Sequence, residues 1–546
     1  MNTHISRRSL FGGLTGVALA GALAGCSKGG SSDGTVGKNQ QKGAMDNYAA
    51  DTQFKATEPL TITMLYSDHP NYPYKSDWLL WSEITKRSNV TLKPTTVPMS
   101  DYAQKRSLLV SAGNAPEIIA KTYPGQESAY VASGAVLAVS DYVDQMPNFS
   151  KFRDQYKLQP ELETLKQSDG KYYLLPGMHE KLWPDYTLIF RTDLLEANGI
   201  PEPQTWDDVY TALKKLNDKA PGTYAMSDRY KGQCLLNLVA TAYGTTAGSW
   251  GNQEYTQYVK GDDTFVLAAT SDEYKSMVEY LSKLVSEKLL DPQSFTQLDD
   301  PAVAAFTTGK TVAICGNSQD PSAHRALMDK AIGKGKYKIA KIIQPAGPAG
   351  KVVGGTRLEN GLMLSAKAKD SDNFGALLQF VDWLWYEGKA KEFTKWGVEG
   401  VTFKREGDKR VLEPSVGYQW MNPDAPKKLN ADFGFSGGNF SYGGTVDLVH
   451  SMFDPEEQSW QQRMATERTQ VPLPPAHPLT DSQREQATLL LTPLKDLVDQ
   501  NTLKFITGQR PLSDWDAFQS ELKGAGADKY MQIINTAYTT YKSKNK

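Results

Sequence analysis

Six histidines, three cysteines and a serine set among glycines are where reactive chemistry would have to begin in this 546-residue chain. His4, His69, His179, His324, His450 and His477 show no spacing that would bring two imidazoles to one metal, and no His-Glu-x-x-His run exists. Gly434-Phe435-Ser436-Gly437-Gly438 satisfies the G-x-S-x-G pattern, but a nucleophile elbow needs a buried strand before the serine and a helix after it. Residues 430–444 read instead as a loop rich in Gly, Asn and Ser, so catalysis by Ser436 is not expected. Carboxylates are plentiful, yet their order does not reveal which two would face each other as a glycosidase pair. No D-x-[DN]-x-[DN]-G spacing offers a calcium loop, so neither a metal nor a cofactor is expected. Cys234 and Cys315 are far apart in sequence and read as separate buried thiols, with pairing in an oxidising compartment left open.

Cys26 is different. It directly follows an uncharged apolar stretch, residues 14–24, which itself follows Arg7 and Arg8. That stretch is too short to stay in a bilayer as a spanning helix and reads as the core of a signal peptide. Leu23-Ala24-Gly25-Cys26 resembles the lipobox of bacterial lipoproteins, in which small residues fit a narrow peptidase site and the thiol takes a diacylglyceryl group. Residues 1–25 are therefore expected to be a signal peptide, and Cys26 the lipid anchor on the outer face of the cytoplasmic membrane. Ser6-Arg7-Arg8-Ser9-Leu10-Phe11 also resembles a twin-arginine signal, which leaves the export route open. Residues 26–57, rich in Gly, Ser, Asn, Gln and Lys, have little to bury and read as a flexible tether.

The elements that must position any site begin near residue 58. The chain without residues 1–25 carries 58 basic and 62 acidic residues, and no basic cluster with interleaved aromatics, so nucleic acid is excluded as a partner. Short apolar strands alternate with amphipathic helices, which argues for an α/β fold. Strands are read at 61–66, 90–97, 116–123, 187–190 and 311–315. Helices are read at 76–87, at 271–288 with Tyr274, Met277, Val278, Leu281, Leu284 and Val285 buried, at 374–386, at 482–498 and at 513–523. Thr205-Trp206-Asp207-Asp208 opens a helix as a near-capping box. Trp383 and Trp385 fall on a helical apolar face and are assigned to the core.

Several phrases in order along the chain resemble extracellular solute-binding protein family 1, in its large Gram-positive lipoprotein branch. They are Asp169-Gly170-Lys171-Tyr172-Tyr173-Leu174-Leu175-Pro176, then residues 190–200 followed by Pro203 and Thr205-Trp206-Asp207-Asp208, residues 396–403, and residues 505–508 with 512–516. The resemblance implies a two-lobed, periplasmic-binding-protein-like fold with a hinge and an interlobe ligand cleft. It implies lobe 1 at 58–175, lobe 2 at 176–360, a return to lobe 1 at 361–400, and a segment 401–546 completing both lobes and the cleft. It also implies the role: a monomeric binding subunit that takes an oligosaccharide by closing its lobes and hands it to the membrane permease of an ABC importer. A peptide or other polar solute in the same cleft, or a surface glycosidase or esterase, are the alternatives.

Ligands of open α/β sheets sit beyond the carboxyl ends of the strands. Expected contacts are therefore Tyr66, Asp68 and His69 after the first strand, Tyr123 after the third, and Asn317 and Gln319 after Cys315. Trp183, Asp185 and Tyr186 lie past the first crossing between lobes, Arg357 and Glu359 near the second, and Trp420 and Asn422 in an irregular stretch. A sugar needs this mixture of aromatic planes for its C–H faces and polar groups for its hydroxyls.

Overall fold

The computed structural model describes residues 34–545 apart from 71, 220–222, 249, 251 and 441. The signal segment, Cys26 and residues 27–33 lie outside the described residues. Residues 36–546 form one compact unit.

The first lobe is built on β1 (Leu60–Asp68), whose nine residues all pair in parallel with β2 (Val90–Pro98). On its other side β1 meets β3 (Ile118–Thr122), also in parallel. The strand Leu358–Leu364 then runs antiparallel to β3, and β4 (Leu175–Met178) pairs antiparallel with it at the edge. Ile62, Met64 and Leu65 of β1 are fully buried, because a central strand covered on both faces loses the in–out alternation of a half-exposed one. The helix Phe374–Tyr386 covers this sheet and buries every residue except Gln379, with Trp383 and Trp385 in the core.

The second lobe has β5 (Thr187–Arg191) at its centre, antiparallel to Ala313–Gly316 on one side and to Ile339–Lys341 on the other. Thr205 starts the helix Trp206–Leu216 with the expected box: Asp208 N–H donates to Thr205 Oγ1 at 3.0 Å and Thr205 N–H to Asp208 Oδ2 at 3.0 Å. Asp272–Ser286 buries Tyr274, Met277, Val278, Leu281 and Leu284 of the predicted stripe, while Val285, near the helix end, is only partly buried against the core. The C-terminal helices Asp481–Ile506, Trp515–Gly524 and Ala527–Lys544 join this same core.

The core of the first lobe draws on residues 44–178 and 358–452, that of the second on 188–342 and 479–538. The chain therefore crosses between lobes three times. Leu182 from the first crossing, Ile343 and Val353 from the second, and Trp460 and Met464 from the third pack into a small core of their own. Val352–Val353 and Thr469–Gln470 form a two-stranded parallel pair there.

Two expectations are corrected. Residues 176–178 and 358–360, assigned to the second lobe, are strand residues of the first sheet. Residues 36–57, assigned to the tether, are folded onto the first lobe. Phe54 is fully buried against Phe380, Met45 N–H donates to Gln379 Oε1 at 2.8 Å, and Tyr48 donates to the buried Asp382 at 2.9 Å. A polar average over the segment hides a few well-spaced aromatic and apolar side chains, and those are enough to dock it.

Candidate ligand cleft

On the first lobe, the ends of β1 and β3 and the strand Leu358–Leu364 bring together His69, Tyr72, Lys121, Tyr123 and Glu359. His69 stacks on Tyr72 with centroids 4.6 Å apart and planes 12° from parallel. Lys121 has a left-handed backbone, φ 53°, at the end of β3. Its ammonium lies 4.4 Å from the ring centroid of Tyr442 and 5.6 Å from that of Tyr123, and it hydrogen-bonds the Tyr442 hydroxyl. The Gly438 N–H donates to the Tyr72 hydroxyl. A Cβ on Gly438 would stand 2.4 Å from the Tyr442 hydroxyl, 2.5 Å from that of Tyr72 and 3.1 Å from Lys121 Nζ, so the ends of these three side chains converge on its backbone.

Behind this face, Lys391 and Lys395 occupy successive turns of the helix Gly388–Trp396. Lys391 Nζ donates to the Tyr442 carbonyl at 2.6 Å. Glu359 Oε2 sits 2.7 Å from His179 Nε2. Desolvation pushes Lys121 down to about 8, Lys391 to about 7 and Lys395 to about 8, and the Glu359 carboxylate only partly offsets it for each of them.

On the second lobe, the start of β5 and the end of Ala313–Gly316 present an aromatic cluster. Tyr186, Tyr230 and Trp250 have mutual centroid distances of 4.9 to 5.9 Å. Trp250 is 46% exposed. Asn317 hydrogen-bonds the Tyr186 hydroxyl, and Tyr230 rests 4.3 Å from the guanidinium carbon of Arg229, itself paired with Asp320. Asp185 Oδ1 accepts from Ser318 N–H at 2.9 Å, and its carbonyl accepts from Lys341 Nζ at 2.8 Å. His179 and Tyr186 are the two ends of one crossing. Seven residues span at most roughly 25 Å, so the two polar and aromatic faces are close enough to share one extended ligand.

Not every expected residue belongs here. Tyr66 is 1% exposed inside a ring cluster with Tyr74, Trp78, Trp81 and Phe440, and no ligand reaches it. Asp68 is turned onto the Tyr74 N–H at 2.8 Å, bracing its loop. Arg357 points to the ends of two helices, where it pairs with Glu161 at 2.5 Å and donates to the carbonyls of Tyr156 and Lys157. Asn422 donates to the carbonyls of Glu413 and Val416 and holds its own turn. Gln319 is exposed, and its N–H is taken by Asn317 Oδ1. Trp183 packs between His179 and Phe453 at the crossing, and Trp420, 37% exposed, donates to the Met452 carbonyl. His69, Tyr123, Asp185, Tyr186, Asn317 and Glu359 remain on the two faces.

Tyr72, Lys121, Tyr230, Trp250 and Tyr442 also stand on these faces, and Lys391 behind the first, though the sequence reading did not single them out. Trp250 had a signal: an indole within residues 248–251, between glycines where no local period would bury it. Ser436 is reached by a turn with φ 58°, its N–H donates to the Thr394 carbonyl, and no strand leads into it as an elbow requires. Cys234 and Cys315 are both buried free thiols, and they lie within interaction reach of each other. A further cavity of about 230 Å³ beside Ser318 and Trp460 is walled by Lys341–Glu457 and Arg463–Glu202, ion pairs already satisfied within the protein.

A model of bacterial extracellular solute-binding proteins matches residues 77–385, more than half of the chain. The chain is 23% identical over 529 residues to the polygalacturonan/rhamnogalacturonan-binding protein YtcQ of Bacillus subtilis (strain 168), covering 96% of this chain and 97% of that one. It is 21% identical to the fructooligosaccharide ABC transporter substrate-binding protein FusA of Streptococcus pneumoniae, covering 90% and 92%. Among solved structures, the alginate-binding protein AlgQ2 superposes with a TM-score of 0.69 at 18% identity, over 89% of this chain and 99% of that one. An HMO-binding, ABC-transporter-associated solute-binding protein from Bifidobacterium longum infantis gives 0.67 at 18% identity, over 89% and 99%. At these identities the structural likeness carries the fold, two lobes of mixed helix and strand.

Proposed function

The chain belongs to the family of bacterial extracellular solute-binding proteins, and from that premise we propose that it captures an oligosaccharide between its lobes and delivers it to an ABC importer, with no chemistry of its own. The observation that carries the reading is the half-exposed Trp250 banked against Tyr186 and Tyr230 beside Asn317. An aromatic plane bordered by an amide suits a pyranose, whose C–H face packs on the ring while its hydroxyls take the polar edge. Relatives named for binding polygalacturonan, rhamnogalacturonan and fructooligosaccharides support the same class of cargo. Closure follows if the ligand makes contacts with both faces that only the shut form allows.

Calorimetry with a panel of oligosaccharides tests this. Saturable binding without release of reducing ends is expected, and Trp250→Ala should weaken it by about 1–2 kcal/mol, roughly tenfold, with little change in melting temperature. Peptides that raise the melting temperature while saccharides leave it unmoved would replace the cargo. Sugar turnover would replace the role.

The working molecule is a monomer held at the outer face of the membrane through lipid on Cys26. Arg7, Arg8, the apolar stretch 14–24 and the small residues before the thiol support that placement. Cys26→Ala is expected to release the protein from the membrane fraction; retention in the variant would sink the anchor.

A further inference from the structure

Lys121, Lys391 and Lys395 all feel the carboxylate of Glu359, which is itself held by His179. Taking three lysines and a carboxylate largely out of water costs folding free energy, and Lys395 adds to the cost at Lys391. Folding alone does not call for it. Asp68 is felt by His69, but its carboxylate is engaged by the Tyr74 N–H. The cluster opens to solvent at Lys121, which is part-exposed next to the 45% exposed Tyr123. The hydroxyls of Tyr72 and Tyr442 converge with its ammonium over Gly438. A cation flanked by hydroxyl groups is a receptor for an anionic substituent carried on a polyol.

We propose that the first-lobe face takes an acidic saccharide, with Lys121 meeting the carboxylate or sulfate of one sugar unit and Lys391 and Lys395 supplying positive potential from behind. This rests on the oligosaccharide reading above and narrows it to the anionic class. The negative unit meets the positive potential at Lys121, so binding and local electrostatics reinforce each other.

The test uses the mature protein with three probes: a short oligogalacturonate, the same oligomer as its methyl ester, and a sulfated oligosaccharide. The ester keeps the sugar and removes the charge. The free acid, the sulfated sugar or both should bind on the order of tenfold tighter than the ester, with an advantage that shrinks as salt rises. Lys121→Gln should erase that difference and Lys121→Arg should retain it, with melting temperatures checked for both. Equal binding of acid and ester, or binding of neutral oligosaccharides alone, overturns the anionic assignment while leaving saccharide capture standing. Failure of every saccharide, neutral or acidic, to bind the wild type overturns the capture reading and this inference together.

Discussion

Asp382 has no exposure to solvent and still carries four hydrogen bonds. Its Oδ1 accepts from Phe149 N–H at 2.8 Å, and its Oδ2 accepts from Asn148 N–H at 3.0 Å, Asn148 Nδ2 at 2.8 Å and the Tyr48 hydroxyl at 2.9 Å. It thus caps the helix Pro147–Gln155, whose own N-cap Met146 has no side chain to offer, and it fastens the N-terminal arm. Desolvation pushes its carboxyl up to about 6 against the pull of those donors. Asp382→Ala, which strands three buried N–H groups, should cost on the order of 3 kcal/mol in urea denaturation. Because the folded pKa lies above the unfolded one, the folded state holds the extra proton. The wild type should therefore lose stability relative to Asp382→Asn as pH rises from about 4 to about 6. A difference that does not change with pH in that window would show that the carboxyl titrates normally.

At the scale of elements, sequence pattern and structure agree where local chemistry decides. The capping box at Thr205, the stripe of Asp272–Ser286 and the buried helix Phe374–Tyr386 follow from spacing alone. Strand ends were legible too, which is why Tyr186, Asn317 and Tyr123 fall on the two faces. What was not legible depends on side-chain direction. Arg357 and Glu359 stand two apart at the start of one strand, yet one turns to helix ends and the other to His179. Tyr66 looked like a strand-end contact because nothing local shows Trp78, Trp81 and Phe440 closing over it. Lys391 is invisible for the opposite reason: a lysine on a helix reads as solvated, and only the fold buries it.

The whole molecule holds its lobes together at a second place besides the crossings. Tyr541 donates to Glu163 Oε2 at 2.8 Å, and Arg484 donates to Gln167 Oε1 at 2.9 Å, each reaching from a C-terminal helix to the first lobe. Glu127 lies close by, fully buried, with its carboxyl pushed up to about 7 by desolvation and only partly held down by Arg484 and Arg106. As with any acid whose folded pKa is raised, the folded state holds its proton longer, so stability falls as pH climbs through the interval. Thermal melts of wild type and Glu127→Gln should coincide near pH 4.5 and separate by pH 8, with the glutamine form more stable by on the order of 2 kcal/mol. Curves that stay parallel across that range would mean the carboxyl ionises freely.

The small core shared by Leu182, Ile343, Val353, Trp460 and Met464 also bears on how many ways the two halves can move. A single connecting strand would permit bending, twisting and sliding alike. Three connections bound side by side forbid the last two and leave one soft coordinate, a swing about the axis they define. Little orientational entropy is then left for a ligand to remove when the halves meet, so more of its contact energy appears as affinity.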